Sequence, residues 1–267
     1  MDDMRRRRFL LLAASAPAAL LTPGALRGRQ DRGDAEPARQ AAGQSRDNPA
    51  AVEALSRLGV PLETDGEGNV RWIEAVKGEL SDEAMAHLPR LPRLEWLEIG
   101  GGKVTAAGAA FLKDCRALRR LYIHDVKLGD DALAGLGSLP LLEALSLQRT
   151  GITGKGLKHL APLGRLSVLN LSSNLVFDAD LDPVAAMTGL EVLGLRNTGI
   201  SGAGLKKLEG LKRLNVLNVG GTGVVDDDLG HFLLMPNLRI VHATGCRISD
   251  RAIKDLSEKF PMLSVFN

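Results

Sequence analysis

Two acidic runs are the segments of this chain whose residue types and spacing could bind a metal ion. The first is Asp178-Ala179-Asp180-Leu181-Asp182, and the second is Asp226-Asp227-Asp228. Carboxylates at alternate positions resemble the start of a calcium loop, which also needs glycine at its sixth position and an acid at its twelfth. Here Pro183 and Gly189 occupy those positions. An aspartate followed by proline is typical of a helix start, so the sequence predicts helix capping and no metal site.

The glycines and histidines supply no catalytic motif. The run Gly100-Gly101-Gly102 lacks the lysine and the Ser or Thr of a phosphate-binding loop, so it predicts a tight turn. No histidine has a Ser or Cys partner together with an orienting acid. We therefore predict that the chain is not an enzyme and needs no cofactor. The five histidines are dispersed along the chain, at His87, His124, His159, His231 and His242.

A fixed spacing of leucines determines the elements that must position these residues. Seven leucines stand 24 residues apart, at Leu94, Leu118, Leu142, Leu166, Leu190, Leu214 and Leu238. A period of this length marks a solenoid, in which each repeat buries its apolar face against its neighbours. One step back gives a degenerate first copy at Val70, and 25 residues forward give a half copy at Leu263. The sequence predicts eight 24-residue repeats and a half repeat over residues 70–267.

Each repeat begins Leu-x-x-Leu-x-Leu, as in LEWLEI at 94–99, and continues into a turn and a helical stretch. This pattern resembles the leucine-rich-repeat family, whose consensus is Leu-x-x-Leu-x-Leu-x-x-Asn/Cys-x-Leu. Segments such as TGITGKGL at 150–157 and TGISGAGL at 198–205 are similar to an exported bacterial subgroup of that family. The resemblance implies an α/β solenoid: a right-handed coil with a concave parallel β-sheet and short convex helices.

The resemblance also implies a hydrogen-bonded ladder at the ninth position of each repeat. In the family this side chain turns inward and bonds to neighbouring backbone, which links one coil to the next. Gly102 and Val126 depart from the pattern, so we expect a weaker ladder in the N-terminal repeats. The polar ninth residues are Thr150, Asn174, Thr198, Thr222 and Cys246.

A second period appears at the thirteenth position, where aspartate alternates with a small residue until the last copy. The position precedes the helical stretch, so we predict that it caps the helix. Alternation would hold the carboxylates ~10 Å apart, about one Debye length, and so limit their repulsion. The residues are Asp82, Ala106, Asp130, Gly154, Asp178, Gly202, Asp226 and Asp250.

The two cysteines are predicted to be free thiols. Cys115 and Cys246 lie in repeats that are six steps apart. At ~4.8 Å per strand they would be roughly 29 Å apart, whereas a disulfide needs Cα atoms within ~7 Å. Free thiols suit a protein that folds in a reducing cytoplasm before export.

The third, fifth and seventh residues of each repeat are predicted to point out from the concave sheet, where they form columns. Trp72, Trp96 and Tyr122 fall in three adjacent N-terminal repeats beside Arg120 and His124, and such residue types often anchor binding. A plainer alternative is that both tryptophans pack under the N-terminal cap. The candidate ligand-binding residues are Trp72, Trp96, Glu98, Arg120, Tyr122, His124, Gln148, Arg149, Asn170, Arg196, Asn197, Asn218 and His242.

The N-terminal residues predict export from a bacterial cytoplasm, with a signal at residues 1–26. Four arginines at 5–8 precede the apolar run 9–21, which is too short for a membrane span of ~20 residues. The run at 6–10 resembles a twin-arginine motif, but Arg5 and Leu11 depart from it, so the general secretory route stays open. Residues 27–48 predict a polar linker, and residues 49–69 predict a cap helix and a turn.

The charge distribution and the repeats together limit the function. Residues 1–48 hold nine arginines against six acids, whereas the remaining 25 basic and 26 acidic residues nearly cancel. The repeats therefore lack the basic stripe of a nucleic-acid surface. We expect a periplasmic, envelope or extracellular scaffold that binds another protein on its concave face. The alternatives are an envelope protein that self-assembles through its C-terminal edge strand, or recognition of a cell-wall polysaccharide.

Overall fold

The computed structural model of the protein describes residues 46–267, so the predicted export signal and nearly all of the predicted linker lie outside the described residues. Ten strands form one sheet in which every strand pairs with the next along the chain. The first pair, β1 with β2, is antiparallel, and the pairs from β2 to β10 are parallel. The α/β solenoid that the family resemblance implied is confirmed, with the 24-residue period of the leucines.

The strands follow the repeats. The third-position residues are register partners across the sheet, as Trp72 is with Trp96 and Val192 is with Val216. The sheet consists of β1 (Leu62–Thr64), β2 (Val70–Ala75), β3 (Trp96–Gly100), β4 (Arg120–His124), β5 (Ala144–Gln148), β6 (Val168–Asn170), β7 (Val192–Gly194), β8 (Val216–Asn218), β9 (Ile240–His242) and β10 (Ser264–Phe266).

The register of β10 corrects the prediction for the half repeat. Ser264 pairs with Ile240, so the 24-residue spacing continues to the last strand and does not lengthen to 25. The N–H of Ser264 donates to the carbonyl of Arg239 at 2.8 Å. Leu263 is buried, as the first-position leucines are, and for this reason the sequence suggested it as the start of the half repeat. The register of a strand is set by its backbone hydrogen bonds instead. The half repeat therefore begins one residue earlier, at Met262.

Short helices return the chain from one strand to the next. The first helix, α1, begins after Asn48, whose Oδ1 accepts a hydrogen bond from the N–H of Ala51 at 3.2 Å. No helix among residues 46–267 is long and apolar enough to cross a membrane. The α-helices are α1 (Pro49–Arg57), α2 (Asp82–Met85), α3 (Ala106–Ala109), α4 (Asp131–Leu136), α5 (Asp182–Ala185), α6 (Gly202–Leu208) and α7 (Asp250–Lys259). The 3₁₀ helices span Leu88–Arg90, Ala110–Asp114, Gly154–Leu160, Asp178–Leu181 and Asp226–Leu234.

A single hydrophobic core runs between the sheet and the helices, from Leu55 of α1 to Leu263 before β10. The repeated leucines contribute to it at their first and fourth positions, and all seven leucines of the 24-residue ladder are buried. Each coil supplies one layer of this core, so α1 covers the layer that would otherwise be open at the N-terminal end.

The aspartates of the thirteenth position do not cap their own helices, so that prediction is wrong. Five helices are capped by the preceding residue instead: Ser81, Thr105, Thr153, Ser201 and Ser249. Asp130 points along the stack, where Oδ1 accepts from the N–H of Thr153 at 2.7 Å and Oδ2 from its hydroxyl at 2.6 Å. The same two bonds join Asp82 to Thr105, Asp178 to Ser201 and Asp226 to Ser249.

Small residues in the coil of Gly154 make room for carboxylates of both neighbouring coils. A Cβ on Gly156, at the fifteenth position, would lie 2.8 Å from Oδ1 of Asp130, the brace from the preceding coil. A Cβ on Gly154, at the thirteenth position, would lie 1.8 Å from the carboxylate carbon of Asp180 in the following coil. The 48-residue period joins coils in pairs, and charge repulsion is not needed to explain it.

The ninth-position ladder is present only in part. The threonines at 150, 198 and 222 donate to carbonyl groups of their own coils. Asn174 does bridge two coils, since its Oδ1 accepts from the N–H of Thr150 at 3.1 Å and its Nδ2 donates to Leu147 O at 2.6 Å. Cys246 bridges as well, through a 3.0 Å contact of its thiol with Val219 O. The hydroxyl of Thr222 also lies 3.5 Å from this thiol, so the contact continues between these two coils.

Both cysteines are free, as predicted. Burial raises the pKa of the Cys115 thiol to about 12, so this thiol stays protonated and unreactive at neutral pH.

Replacing Asp130 with alanine tests the braces between coils. Asp130→Ala leaves the N–H and hydroxyl of Thr153 without their acceptor, so we expect the free energy of unfolding to fall by about 2 kcal/mol. The control is Asp131→Ala, which removes an exposed acid from the same first turn and should change stability by less than ~0.5 kcal/mol. Urea unfolding measures both, and equal losses in the two variants would contradict the brace.

Candidate functional site

The third residues of the repeats, except Arg120, form an apolar stripe together with Tyr122 from the fifth position. The stripe lies on the sheet face opposite the helices, which we call the concave face. This stripe is a second hydrophobic cluster, separate from the core. Trp96 is 9% exposed within it, and Trp72 packs against its edge. The tryptophans therefore do not pack with α1 under the N-terminal cap, the alternative considered from the sequence. The other members are Tyr122, Ala144, Val168, Val192, Val216 and Ile240.

The fifth residues form a column beside the apolar stripe that is mostly polar and largely buried. Glu98 is 1% exposed and Asn170 is 0% exposed. The two asparagines support the ends of their strands, since Asn170 Oδ1 accepts from Ser172 N at 3.0 Å and Asn218 Oδ1 from Gly220 N at 3.1 Å. These asparagines are structural as well as candidate contacts. The buried polar members of the column are Glu98, Tyr122, Ser146, Asn170, Asn218 and His242.

Aromatic rings and arginines meet at the N-terminal part of the concave face. The rings of Trp96 and Tyr122 are 5.2 Å apart between centroids and are tilted by 46°. The guanidinium of Arg120 lies 5.7 Å from the centroid of the Trp96 ring, and that of Arg71 lies 5.9 Å from the Trp72 ring. Burial raises the pKa of Tyr122, so its phenol stays neutral. The structure thus places four predicted residues in one group: Trp72, Trp96, Arg120 and Tyr122.

A chain of charged side chains borders this aromatic group. His124 Nδ1 lies 3.0 Å from Asp125 Oδ2, and its Nε2 lies 3.7 Å from Glu98 Oε1. Arg149 donates to both oxygens of Asp125, at 2.5 and 2.8 Å. Gly100 makes room for the imidazole, because a Cβ there would lie 2.3 Å from the His124 ring. His124 therefore lies between Glu98 and Asp125, and Asp125 joins His124 to Arg149.

Asp125 is a residue of this group that sequence reasoning missed, although Arg149 and Asn197 at the same eighth position were among the predicted residues. The hydrogen bonds from Arg149 lower the pKa of Asp125 to about 2, with a further contribution from His124. The eighth residue adopts positive φ in every full repeat from the second onward, and Arg149 and Asn197 occupy this turn with φ of 53° and 51°. The sequence did contain a signal for this turn, because glycine, which favours positive φ, occupies the eighth position at residues 101, 221 and 245.

The remaining predicted residues lie farther along the solenoid. Gln148 is the register partner of His124 and continues the charged border. Arg196, Asn197 and Asn218 belong to the sixth and seventh repeats, so the structure does not bring them to the aromatic group. The face therefore has an N-terminal group rich in aromatic and charged side chains, and more dispersed polar residues beyond it.

The C-terminal part of the face holds an aromatic contact that the sequence analysis missed. Phe266 stacks on His242 with centroids 5.4 Å apart and rings inclined by 22°. The contact was missed because the predicted 25-residue spacing does not put Phe266 at the fifth position. With the observed 24-residue spacing, Phe266 pairs with His242 at that position. Burial lowers the pKa of His242, and its Nε2 is buried without a hydrogen-bond partner among the described residues.

Only part of each acidic run bonds to the start of its own helix: Asp180 accepts from the N–H of Phe177 and Asp228 from the N–H of Val225, both at 2.9 Å. Asp182, the residue before Pro183, makes no capping hydrogen bond, so the capping prediction is wrong for this residue. Within residues 46–267, no group of three or more His, Cys, Asp or Glu side chains is arranged to hold a metal ion.

Comparisons with known proteins identify solved structures of similar fold. An internalin C2 from Listeria monocytogenes aligns at 24% identity and a TM-score of 0.57, over 82% of this chain and 92% of that one. Another internalin of that species aligns at 23% identity and a TM-score of 0.51, over 70% of this chain and 57% of that one. A leucine-rich-repeat protein of Leptospira interrogans gives 18% identity and a TM-score of 0.49, over 68% and 51%. This chain thus spans just over half the length of the second and third proteins.

Sequence comparisons add no relative. No family model matches the chain, and no curated protein matches it.

The two histidines of the concave face should titrate on opposite sides of pH 6.5. The carboxylates of Glu98 and Asp125 raise the pKa of His124, whereas burial lowers the pKa of His242. His124 therefore contributes stability that is complete below pH 6.5 and is lost as pH rises through its folded pKa. His242 contributes stability that is present above pH 6.5 and is lost as pH falls through its folded pKa. NMR titration of the imidazole protons measures both midpoints.

Glu98→Gln is the matched variant for this titration. It removes the charge beside His124 and leaves His242 untouched, so only the midpoint of His124 should fall. Midpoints of both histidines on the same side of pH 6.5 would contradict the described environments.

Proposed function

Because the chain has the leucine-rich-repeat fold, we propose that it is a non-enzymatic scaffold that binds another protein on its concave face. The observation that carries this proposal is the second apolar cluster on the sheet face opposite the helices. Its members are buried, apart from the partly buried Trp72 and Ile240, so the cluster supports the proposal by its place on the sheet face outside the core and not as an exposed patch. The predicted contact residues from Trp72 to His242 lie on this face or at the turn that ends its strands.

The architecture favours binding in which the concave face of this chain needs little ordering. The columns are fixed by parallel strand pairing over eight successive repeats. A partner that meets a rigid surface does not have to order loops, so less binding free energy is lost to conformational entropy. Trp96, Tyr122 and Arg120 supply the residue types that most often carry binding energy.

The proposal includes export from a bacterial cell. Its support is the arginine-rich and apolar sequence of residues 1–26, which lie outside the described residues, together with two thiols that stay unpaired. An unpaired buried thiol such as Cys115 suits a chain that folds under reducing conditions before it leaves the cytoplasm.

Two other functions stay predictions. Self-assembly through β10 would use the hydrophobic residues near that strand, of which Phe260 and Met262 are exposed. Recognition of a cell-wall polysaccharide would use the aromatic group around Trp96. The apolar stripe continues well beyond that group, to Ile240, and this extent favours a protein partner.

Charge reversal on the two sides of one repeat tests the binding face. Arg196→Glu changes the concave face, and Lys206→Glu changes the exposed side of α6 in the same repeat with the same change in net charge. The immobilised protein is used to capture ligands from the exported fraction, and the affinity of the captured protein is then measured for each variant. Arg196→Glu should weaken binding about tenfold, equivalent to ~1.4 kcal/mol, whereas Lys206→Glu should leave it unchanged.

The aromatic group is tested separately. Trp96→Ala should weaken binding of the same protein roughly 30-fold or more, the effect of losing an anchor worth ~2 kcal/mol. Circular dichroism verifies that each variant is folded. Capture that survives both Trp96→Ala and Tyr122→Ala would contradict a role for this group.

A further inference from the structure

Two large hydrophobic side chains lie exposed in the middle of the solenoid, at the turn between β6 and the 3₁₀ helix that follows it. Leu175 is 62% exposed and Phe177 is 53% exposed, whereas Val176 between them is buried. The backbone is extended here, with β-bridges from Leu175 to Thr153 and from Phe177 to Gly199, so both side chains point to the same side. Neither belongs to the core or to the apolar stripe. Neighbouring exposed apolar side chains are candidates for contact with another molecule.

Both side chains lie on one lateral edge of the solenoid, where the chain leaves each strand. The N–H of Leu175 donates to the carbonyl of Ile152 in the coil before it at 3.2 Å. Other tenth residues of the repeats make the same bond, so they follow one another along this edge. We call this series the edge column. In chain order it consists of Glu79, Lys103, Lys127, Gly151, Leu175, Gly199, Gly223 and Arg247.

The two glycines that flank Leu175 in the edge column differ in the space above them. A Cβ on Gly199 would lie 2.3 Å from the ring of Phe177, so this ring already covers that glycine. A Cβ on Gly151 would have no described atom within 4 Å apart from its neighbours in the chain. Of the two positions, only Gly151 therefore has room for an apolar side chain from another molecule.

The edge column is complementary to itself when its order is reversed. A two-fold axis between the fourth and fifth repeats would place the fifth repeat of one copy against the fourth of the other, and the eighth against the first. Leu175 of each copy would then face the uncovered Gly151 of the other. At the two ends, Arg247 would face Glu79, and such a contact between two copies occurs twice by symmetry.

The charged members of the edge column also suit this arrangement. Arg247 is exposed, and Glu79 is held at the edge because its Oε2 accepts from the N–H of Lys77 at 2.7 Å. The exposed Lys127 would face the sixth repeat, where the ring of Phe177 covers the glycine, and an ammonium over an aromatic ring is attracted to it. The other lysine of the column, Lys103, would face Gly223. No two like charges of the edge column oppose each other.

We propose that two copies of this chain associate through their edge columns, about a two-fold axis between the fourth and fifth repeats. The proposal does not rest on the function proposed above, since the concave face takes no part in the contact. Reversal of the coil order requires an axis that points from the sheet to the helices, so the two concave faces open in the same direction. A partner with two binding segments would then engage both copies and gain affinity through the high effective concentration of the second face.

Sedimentation equilibrium of the full chain over a series of concentrations tests the dimer. We expect a monomer–dimer equilibrium in which Leu175→Ser raises the dissociation constant at least about tenfold, because each dimer loses two buried leucines. The control is Leu234→Ser, which removes a leucine of similar exposure, 51%, at the end of the 3₁₀ helix Asp226–Leu234. This control should leave the dissociation constant unchanged.

A charge exchange tests the reversed order of the coils. Glu79→Arg and Arg247→Glu each place like charges at both ends of the contact, so each variant alone should dimerise several-fold more weakly than the parent. In an equal mixture of the two variants, both ends of a mixed dimer again pair opposite charges. The mixed dimer should therefore recover the affinity of the parent, which sedimentation of one fluorescently labelled variant measures in the presence of the other.

A chain that stays monomeric at every concentration would overturn the proposal. Equal dissociation constants for Leu175→Ser and Leu234→Ser would overturn it too, as would a mixture of the charge variants that associates no better than each alone. If the chain is monomeric and Leu175→Ser weakens its capture of the exported protein, the edge belongs to that partner and not to a second copy. Capture with Arg196→Glu reports on the concave face alone, so failure of the dimer and failure of the scaffold function are distinguishable.

Discussion

The structure depends on one constraint: no coil of this chain can bury its leucines without a neighbour one strand spacing away. The core is a single cluster from Leu55 to Leu263, and each coil contributes one layer to it. Because the layers are held at ~4.8 Å by parallel strand pairing, every position of the repeat is stacked on its equivalent in the next coil. The columns of the concave face are a direct consequence of this stacking.

Stacking also explains features that do not contribute to the core. The carboxylate of Asp130 reaches the N–H and hydroxyl of Thr153 because the thirteenth position of one coil faces the twelfth position of the next. Gly156 is small because a side chain there would collide with the bonded carboxylate of Asp130. The left-handed turn at the eighth position recurs for the same reason, since each strand must end at the same depth. Arg149 and Asn197 accept this unfavourable backbone conformation, which costs ~1 kcal/mol for a residue other than glycine.

The concave face is chemically uneven although its backbone is regular. Its N-terminal part combines Trp96, Tyr122 and Glu98 with the pair of Asp125 and Arg149, its middle is an apolar stripe of valines, and its C-terminal part stacks Phe266 on His242. The two ends of the face therefore differ in chemistry, and the apolar stripe runs between them.

The sequence by itself determined the fold, the period, the free thiols and the columns, because a leucine every 24 residues leaves only one way to bury the apolar side chains. It also identified the aromatic group, since residues at equal positions in adjacent repeats must be neighbours. Tertiary structure decided what each polar residue does. The aspartates of the thirteenth position brace the next coil and do not cap their own helices, Asp125 connects His124 to Arg149, and β10 adds Phe266 to the face. The sequence pattern gives the position of a side chain within its coil. A carboxylate or a ring, however, reaches across ~5 Å to the next coil. Only the tertiary structure shows which atom it contacts there.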